Sequence, residues 1–149
     1  MNEKEKKEKK VLVDVRDLTV KFGSRRNPFT AVDKASFRIY KGETFGLVGE
    51  SGSGKTTIGR AIIRINPTAG GEIIYDGERI SGKISKEKDK EVTRKIQMIF
   101  QDPYASLDSR MKVRDIIAEG IDIHHLASTK EERNQMVDEL LETVGLNRE

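Results

Sequence analysis

The chain of 149 residues is long enough for one ordinary domain, and its lack of cysteine excludes disulfide bonds and thiolate metal sites. Charged residues make up 36% of the chain, yet the net charge is only +3. Because no basic stripe interleaved with aromatic residues occurs either, we expect no nucleic-acid partner.

The first ten residues are almost all charged, with lysine and glutamate interleaved. Such a segment has too little apolar surface to fold, so we predict that residues 1–10 form a disordered tail and not a secretory signal. No later apolar run approaches the roughly 18 residues that a helix needs to cross a bilayer.

Two strands are predicted next, over residues 11–22 and 31–40, because apolar and polar residues alternate there. We expect them to pair antiparallel across a turn-rich connection, residues 23–28, which is longer than a tight hairpin requires. Residues 44–48 are nearly all apolar, which is typical of a strand buried on both faces of a parallel sheet.

The middle of the chain alternates between helix and strand signals. An amphipathic helix is predicted over residues 57–65 and a hairpin with an Asp-Gly turn over residues 71–80. The highly charged segment 81–95 is either an exposed connection or a short surface helix. Residues 95–100 are predicted to form a strand.

The end of the chain is predicted to be helical. One helix begins near Val113. Ser128 and Glu131 have the spacing of a capping box for a second helix, and Gly145 suits the residue that ends it.

The stretch GESGSGKT fits the phosphate-loop pattern G-x-x-x-x-G-K-[ST] through Gly49, Gly54, Lys55 and Thr56. It follows a predicted apolar strand and precedes a predicted amphipathic helix, the setting in which loop amides and the helix dipole attract phosphate. A flexible Gly/Ser linker would not explain this placement.

The residue types of the loop also suit phosphate chemistry. Glycines let the backbone approach a phosphate closely, Lys55 can reach the β- and γ-phosphates, and the Thr56 hydroxyl can serve Mg²⁺. Glu50 is expected to face solvent. We assign nucleotide contacts to Gly49, Ser51, Gly52, Ser53, Gly54, Lys55, Thr56 and Thr57.

The nucleotide base has one candidate partner in the sequence. No Asn-Lys-x-Asp box, typical of guanine-specific proteins with such loops, is present. Phe22 could stack on adenine through its π face, although an aromatic residue at the end of a strand more often belongs to a core.

Further segments form an ordered pattern from about residue 11 to the end of the chain. They are LTVKFG at 18–23, AVD at 31–33, KGET at 41–44, IYDGERI at 74–80 and, most distinctive, MIFQDPYASLDSRMKV at 98–113. Together with the phosphate loop they resemble the nucleotide-binding subunit of ABC transporters, of the oligopeptide/dipeptide importer type.

The resemblance implies roles for individual residues. Phe22 falls where the family places the aromatic residue that stacks on adenine. Gln101 falls at the glutamine that faces Mg²⁺ and the attacking water, so Thr56 and Gln101 are the implied metal contacts. Residues 101–107, in particular Tyr104 to Leu107, resemble the surface that receives a coupling helix from the transmembrane subunits.

Parts of the family's catalytic apparatus have no match in this sequence: the Leu-Ser-Gly-Gly-Gln signature, the Walker B Asp, the catalytic Glu and the switch His. Residues 137–139 (VDE) follow polar residues and are predicted to be helix surface. His124 and His125 lack further ligands and are predicted to be surface residues rather than a metal pair. The resemblance therefore implies the N-terminal half of such a subunit.

We therefore expect an α/β fold, a partial P-loop NTPase core similar to ABC ATPases, with an N-terminal antiparallel β subdomain and the start of a helical subdomain. The expected division is a tail over residues 1–10, a nucleotide-binding part over 11–112 and a helical part over 113–149.

The function expected from the resemblance is binding of Mg-ATP, without turnover by this chain alone, in an ATPase that drives import of peptides or similar solutes. Such a subunit is cytoplasmic, held at the membrane by transmembrane subunits and paired with a second nucleotide-binding subunit. Two alternatives are a docking fragment that binds transporter subunits without using ATP, and an unrelated P-loop kinase or GTPase. The latter leaves residues 98–113 unexplained.

Overall fold

A computed structural model describes residues 9–24, 26–102 and 106–147. The chain divides into two compact units, Met1–Met98 and Ile99–Glu149. None of the helices in the described ranges combines the length and apolarity that bilayer crossing requires. The predicted division at residue 112 stays a prediction.

The first unit contains a four-stranded antiparallel sheet in the order β2-β1-β3-β4. The strands are β1 (Val11–Ser24), β2 (Asn27–Tyr40), β3 (Gly70–Tyr75) and β4 (Glu78–Arg79). The predicted antiparallel β subdomain is confirmed, and so is the hairpin with its turn at Asp76–Gly77.

The connection between β1 and β2 is shorter than predicted. Strand pairing continues through Phe22 and Phe29 to Ser24 and Asn27, so only two residues join the strands. The expectation of a loop over residues 23–28 was wrong because Gly23, at φ +93°, keeps its place in the ladder opposite Pro28.

A one-residue bulge interrupts β2 at Ala31. Val20 pairs with Val32, whereas the next residue of β1, Lys21, pairs with Thr30, which leaves Ala31 without a partner position. Since side chains alternate between the two faces of a strand, the extra residue reverses the alternation of β2 beyond this point. Phe29 consequently lies opposite Phe22.

The core of the first unit lies between the sheet and two helices, α1 (Lys55–Ile62) and α2 (Lys86–Lys95). Burying one such aliphatic side chain contributes about 1.5–3 kcal/mol, so this cluster is the main stabilising feature of the unit. Its members are Val13, Val15, Leu18, Val20, Val32, Ile58, Ala61, Ile73, Ile80 and Val92.

Helix α1 ends earlier than the predicted residue 65. Arg64 adopts φ +65°, its N–H bonds the Ala61 carbonyl at 3.1 Å, and the Ile65 N–H bonds the Arg60 carbonyl at 2.8 Å. This is a Schellman ending, in which a left-handed residue closes the helix.

The Arg64 side chain then ties the end of α1 to the segment that leads into α2. Its Nε donates to the Asp89 carboxylate at 2.7 Å, and its Nη1 donates to the carbonyls of Ile80 and Gly82, the latter at 3.2 Å. Arg64 thereby joins the end of α1 both to the segment that follows β4 and to α2 itself.

Two predicted strands are absent among the described residues. Residues 44–48 form no strand, and Val48 is 93% exposed. Residues 95–100 form none either, and Ile99 is 97% exposed. A buried parallel strand needs neighbours on both sides, and every strand in the described ranges is engaged in the antiparallel sheet.

The second unit contains helices α3 (Val113–Ile123) and α4 (Lys130–Thr143). They pack through Ala118, Ile121, Val137 and Leu141, all buried. Ion pairs join Arg114 to Asp138 at 2.6 Å and Arg133 to Asp122 at 2.8 Å. The predicted helices are confirmed, but Val137 is a core residue and not helix surface.

The ends of α4 follow the predicted chemistry with one displacement. Thr129, not Ser128, caps the helix: its hydroxyl accepts from the Glu132 N–H at 3.1 Å. The Glu132 carboxylate accepts from the Ser128 N–H at 2.7 Å. Gly145, at φ +75°, ends the helix as predicted.

Candidate functional site

The phosphate loop leads directly into α1 through Gly54, the residue that precedes the first helical turn. Gly52 and Gly54 have φ values of +81° and +90°, a backbone conformation that residues with a Cβ rarely adopt. The Ser53 N–H bonds the Glu50 carbonyl at 3.2 Å, which closes a turn within the loop. Glu50 is exposed, as expected.

The Lys55 ammonium lies inside the curve of this loop. It donates to the Gly49 carbonyl at 2.8 Å, the Glu50 carbonyl at 2.6 Å and the Ser53 hydroxyl at 3.3 Å. An ammonium group has three hydrogen-bond donors. All three therefore have partners from the loop itself, and the positive charge is held where the loop curves.

Close packing explains two of the glycines. A Cβ on Gly54 would lie 2.6 Å from the carbonyl oxygen of Ala31, the bulged residue of β2. A Cβ on Gly49 would lie 2.8 Å from the Ser53 hydroxyl oxygen. A side chain at position 54 would therefore push the loop away from β2, whereas one at position 49 would displace the Ser53 hydroxyl.

A cavity of about 220 Å³ adjoins the loop and the first turn of α1. It brings together most of the residues that the sequence assigned to a nucleotide. Its lining residues are Phe22, Phe29, Ala31, Gly52, Ser53, Gly54, Lys55, Thr56 and Thr57. Gly49 is linked to this group because its carbonyl accepts a hydrogen bond from Lys55. Ser51 is exposed and does not line the cavity.

Phe29 and Ala31 are the two lining residues that sequence reasoning missed, and Phe29 is the one with a large side chain. It is 67% exposed and lies directly opposite Phe22, which is 41% exposed. The available signal was the symmetric position of the two rings about a tight hairpin. That signal was hidden because a longer connection was predicted.

Gln101 belongs to the second compact unit and is exposed. Leu107 is exposed as well. Tyr104 and the rest of residues 103–105 lie outside the described residues. The roles assigned to Gln101 and to residues 101–107 therefore stay predictions.

The two histidines follow the end of α3. His124 is half-buried, and His125 is exposed with φ +51°. In the portion of the chain that the structure describes, no three His, Cys, Asp or Glu side chains are grouped to hold a metal ion.

The buried carboxylate of Asp14 lies on β1, outside the loop cavity. Burial by itself raises the pKa of Asp14, but hydrogen bonds from Arg16 at 2.7 Å and Arg38 at 3.3 Å outweigh it and hold the pKa below its usual value. The carboxylate is thus ionised and paired on the sheet.

A glycine loop that closes around its own lysine and opens into a helix defines a P-loop protein. A family model described as ABC transporter matches residues 32–149, most of the chain. The chain therefore belongs to the ABC transporter family, which confirms the resemblance read from the sequence.

The relatives are transport proteins of bacteria. The chain is similar to the oligopeptide transport ATP-binding protein OppF of Bacillus subtilis (strain 168), at 59% identity over 93% of this chain and 45% of that protein. It is 55% identical to AmiF of Streptococcus pneumoniae serotype 4 (strain ATCC BAA-334 / TIGR4), another oligopeptide transport ATP-binding protein, over 91% of this chain and 44% of that one. The chain thus spans less than half the length of these curated relatives.

The fold also has solved counterparts. The ATP-binding cassette MJ0796, solved as a dimer in a post-hydrolysis state bound to ADP and Pi, superposes with a TM-score of 0.75. The match covers 91% of this chain and 58% of that chain at 22% identity, a likeness of fold alone. It confirms the predicted fold class, a partial core of an ABC ATPase.

Proposed function

We propose that the chain is a nucleotide-binding part of an ABC importer ATPase that serves oligopeptides or similar solutes, and that it binds Mg-ATP at its phosphate loop. The observation that carries the proposal is the Lys55 ammonium, held by three oxygens of the loop beside the cavity. The names of the relatives supply the solute class.

Lys55 would bind phosphate by exchanging one partner. Its bond to the Ser53 hydroxyl, at 3.3 Å, is the longest of the three. Replacing that bond with one to a phosphate oxygen leaves the bonds to Gly49 and Glu50 in place. The lysine is thus positioned before the nucleotide arrives, which reduces the entropy cost of binding.

We propose the other contacts on the basis of the same loop and cavity. Backbone N–H groups of the loop and of the first turn of α1 would donate to phosphate oxygens, aided by the helix dipole. If Mg²⁺ accompanies the phosphates, the Thr56 hydroxyl would serve as one of its oxygen ligands and help to offset the phosphate charge. Gln101 stays the second ligand that the family resemblance implies. Phe22, which lines the same cavity, would stack on the base.

Binding without turnover is the expected behaviour of this chain by itself. Phosphoryl transfer to water needs a group that positions the water and electrostatic support for the transition state. The sequence of this chain contains no Leu-Ser-Gly-Gly-Gln signature, and we assign no general base in it.

Membership of the family supports a proposal for the assembly. We place the chain on the cytoplasmic face of the membrane, bound to transmembrane subunits through residues 101–107 and paired with a second nucleotide-binding subunit. The dimeric state of the MJ0796 cassette supports the pairing.

Calorimetry with Mg-ATP tests the proposal. The unmodified chain should bind, Lys55→Ala should abolish measurable binding, and Lys90→Ala, which removes an exposed lysine of α2, should bind normally. A chain that folds but does not bind Mg-ATP would contradict the proposal. Steady ATP hydrolysis that Lys55→Ala abolishes would contradict the absence of turnover.

A second candidate is a docking fragment that binds transporter subunits without using ATP. The apolar segment 44–48 favours it, because Phe45, Leu47 and Val48 are all exposed. Capture of purified transporter subunits by a chain that shows no heat of Mg-ATP binding would support this candidate instead.

A further inference from the structure

We propose that Phe29 is a second base-contacting residue, which together with Phe22 makes the cavity select nucleotides with a planar purine base. The inference rests on the proposed binding of a nucleotide at the phosphate loop. It adds a residue and a base preference that the loop motif does not contain.

The bulge at Ala31 is the structural reason for this assignment. Without it, alternation along β2 would place Thr30, not Phe29, on the face shared by Val32 and Val20. With it, Thr30 pairs with Lys21, and Phe29 pairs with Phe22 on the face that carries the cavity. Bulges commonly redirect side chains next to binding sites.

The same bulge fixes the phosphate loop relative to the two rings. The carbonyl oxygen of Ala31 lies so close to Gly54 that no Cβ fits between them. One residue of β2 therefore sets both the start of α1 and the direction of the Phe29 side chain. Phe22, Phe29 and Lys55 line a single cavity.

The exposure of Phe29 argues against a purely structural role. At 67% exposed, its ring contributes little to the core that stabilises the sheet. An aromatic face left in water can gain by covering the flat face of a base. A purine offers a larger flat face than a pyrimidine, so it gains more from this contact.

Two variants of the full chain separate base contact from phosphate contact. Phe29→Ala removes the ring. The exchange Phe29→Thr with Thr30→Phe keeps the composition but moves the ring to the opposite face. Each is titrated with Mg-ATP, Mg-CTP and magnesium tripolyphosphate, which carries phosphates without a base. Thr30→Ala serves as the matched control.

We expect both ring-displacing variants to bind Mg-ATP roughly 5-fold or more weakly, the loss that one base stack predicts, and to lose the preference for Mg-ATP over Mg-CTP. Affinity for magnesium tripolyphosphate should stay unchanged, as should every affinity of Thr30→Ala. Equal losses for Mg-ATP and tripolyphosphate, or no loss at all, would overturn the role of Phe29.

A fluorescent reporter gives an independent measurement. The chain contains no tryptophan, so Phe29→Trp provides a single indole emitter, at the proposed contact. Mg-ATP should quench it and tripolyphosphate should not, and neither should quench Thr30→Trp. Mg-ATP binding without quenching at position 29 overturns this inference alone. Absence of binding of both Mg-ATP and tripolyphosphate to the unmodified chain overturns the proposed function as well.

Discussion

At the scale of single residues, Asp14 shows how a charge can be buried in this small sheet. Its side chain is only 10% exposed, yet it is bonded by two guanidinium groups that remain largely in solvent. Arg16 lies two residues along the same strand, and Arg38 is its partner across the β1–β2 ladder. The carboxylate therefore stays ionised while the two arginines keep most of their hydration.

The pKa of Asp14 is lowered in the folded chain, which makes stability depend on pH. A carboxyl with a lowered folded pKa stabilises the fold above its unfolded pKa, about 3.9, and this contribution is lost as pH falls through the folded value. Asp14→Asn should lower the free energy of unfolding by about 1.5 kcal/mol at neutral pH. The difference in free energy of unfolding between Asp14→Asn and the unmodified chain should shrink below pH 4.

Urea unfolding between pH 2.5 and 7 measures this difference. Asp33→Asn, an exposed residue of β2, controls for the loss of one negative charge. A constant difference between Asp14→Asn and the unmodified chain across the whole range would show that Asp14 does not titrate as proposed.

At the scale of elements, α3 and α4 end in the same way with different residues. In each, the residue after the cap is left-handed: His125 at φ +51° and Gly145 at φ +75°. In each, the next N–H bonds a carbonyl of the last turn, from Leu126 to Ile121 at 3.0 Å and from Leu146 to Leu141 at 2.9 Å. Glycine adopts this conformation without the Cβ penalty.

The two helix endings predict opposite changes in the free energy of unfolding when glycine is introduced at position 125 and removed at position 145. His125→Gly should raise the free energy of unfolding by about 1 kcal/mol, because the left-handed region costs residues with a Cβ about that much. Gly145→Ala should lower it by a similar amount. Thermal unfolding of both variants measures the two effects, and a destabilised His125→Gly would show that the histidine makes a compensating contact.

Comparison of the elements shows which could be predicted from sequence. The β3–β4 hairpin and the end of α4 depend on residues close together in the chain, Asp76–Gly77 and Gly145, and both were predicted. The segment 44–48 was predicted wrongly, because an apolar run becomes a strand only if other strands lie beside it. Its neighbours are not determined by its own residues.

The residues of the candidate site likewise divide into those that the sequence predicts and those that it does not. The loop from Gly49 to Thr56 is recognisable because its chemistry is local and its spacing is fixed. Phe29 was missed because its direction depends on an extra residue at Ala31, and alanine carries no sign that distinguishes a bulge from a regular strand position. Phe22 was a candidate from its aromatic ring, and the family resemblance favoured base stacking over a core role for it.

At the scale of the whole molecule, the first unit exposes a contiguous apolar stretch. Phe45 is partly covered by stacking on Phe37, with ring centroids 5.1 Å apart. Leu47 is 41% exposed, and Val48 is almost fully exposed. Apolar surface of this kind favours association with other chains.

We therefore expect the chain to self-associate with rising concentration, and Val48→Lys to reduce this association. Sedimentation velocity measures it. Because Val48 makes few contacts, the free energy of unfolding should change by less than about 0.5 kcal/mol. Val113→Lys, at another exposed valine, is the matched control and should leave association unchanged. Equal behaviour of the two variants would contradict a role for segment 44–48.

Helix α1 is held at both ends, at Gly54 against the Ala31 carbonyl and at Arg64 against Asp89. Each residue added to an α-helix advances it by 1.5 Å and turns it by about 100°. One inserted or deleted residue would therefore rotate one attachment away from its partner. Between these two attachments, substitutions at exposed positions such as Arg60 are permitted, whereas a change in the number of residues is not.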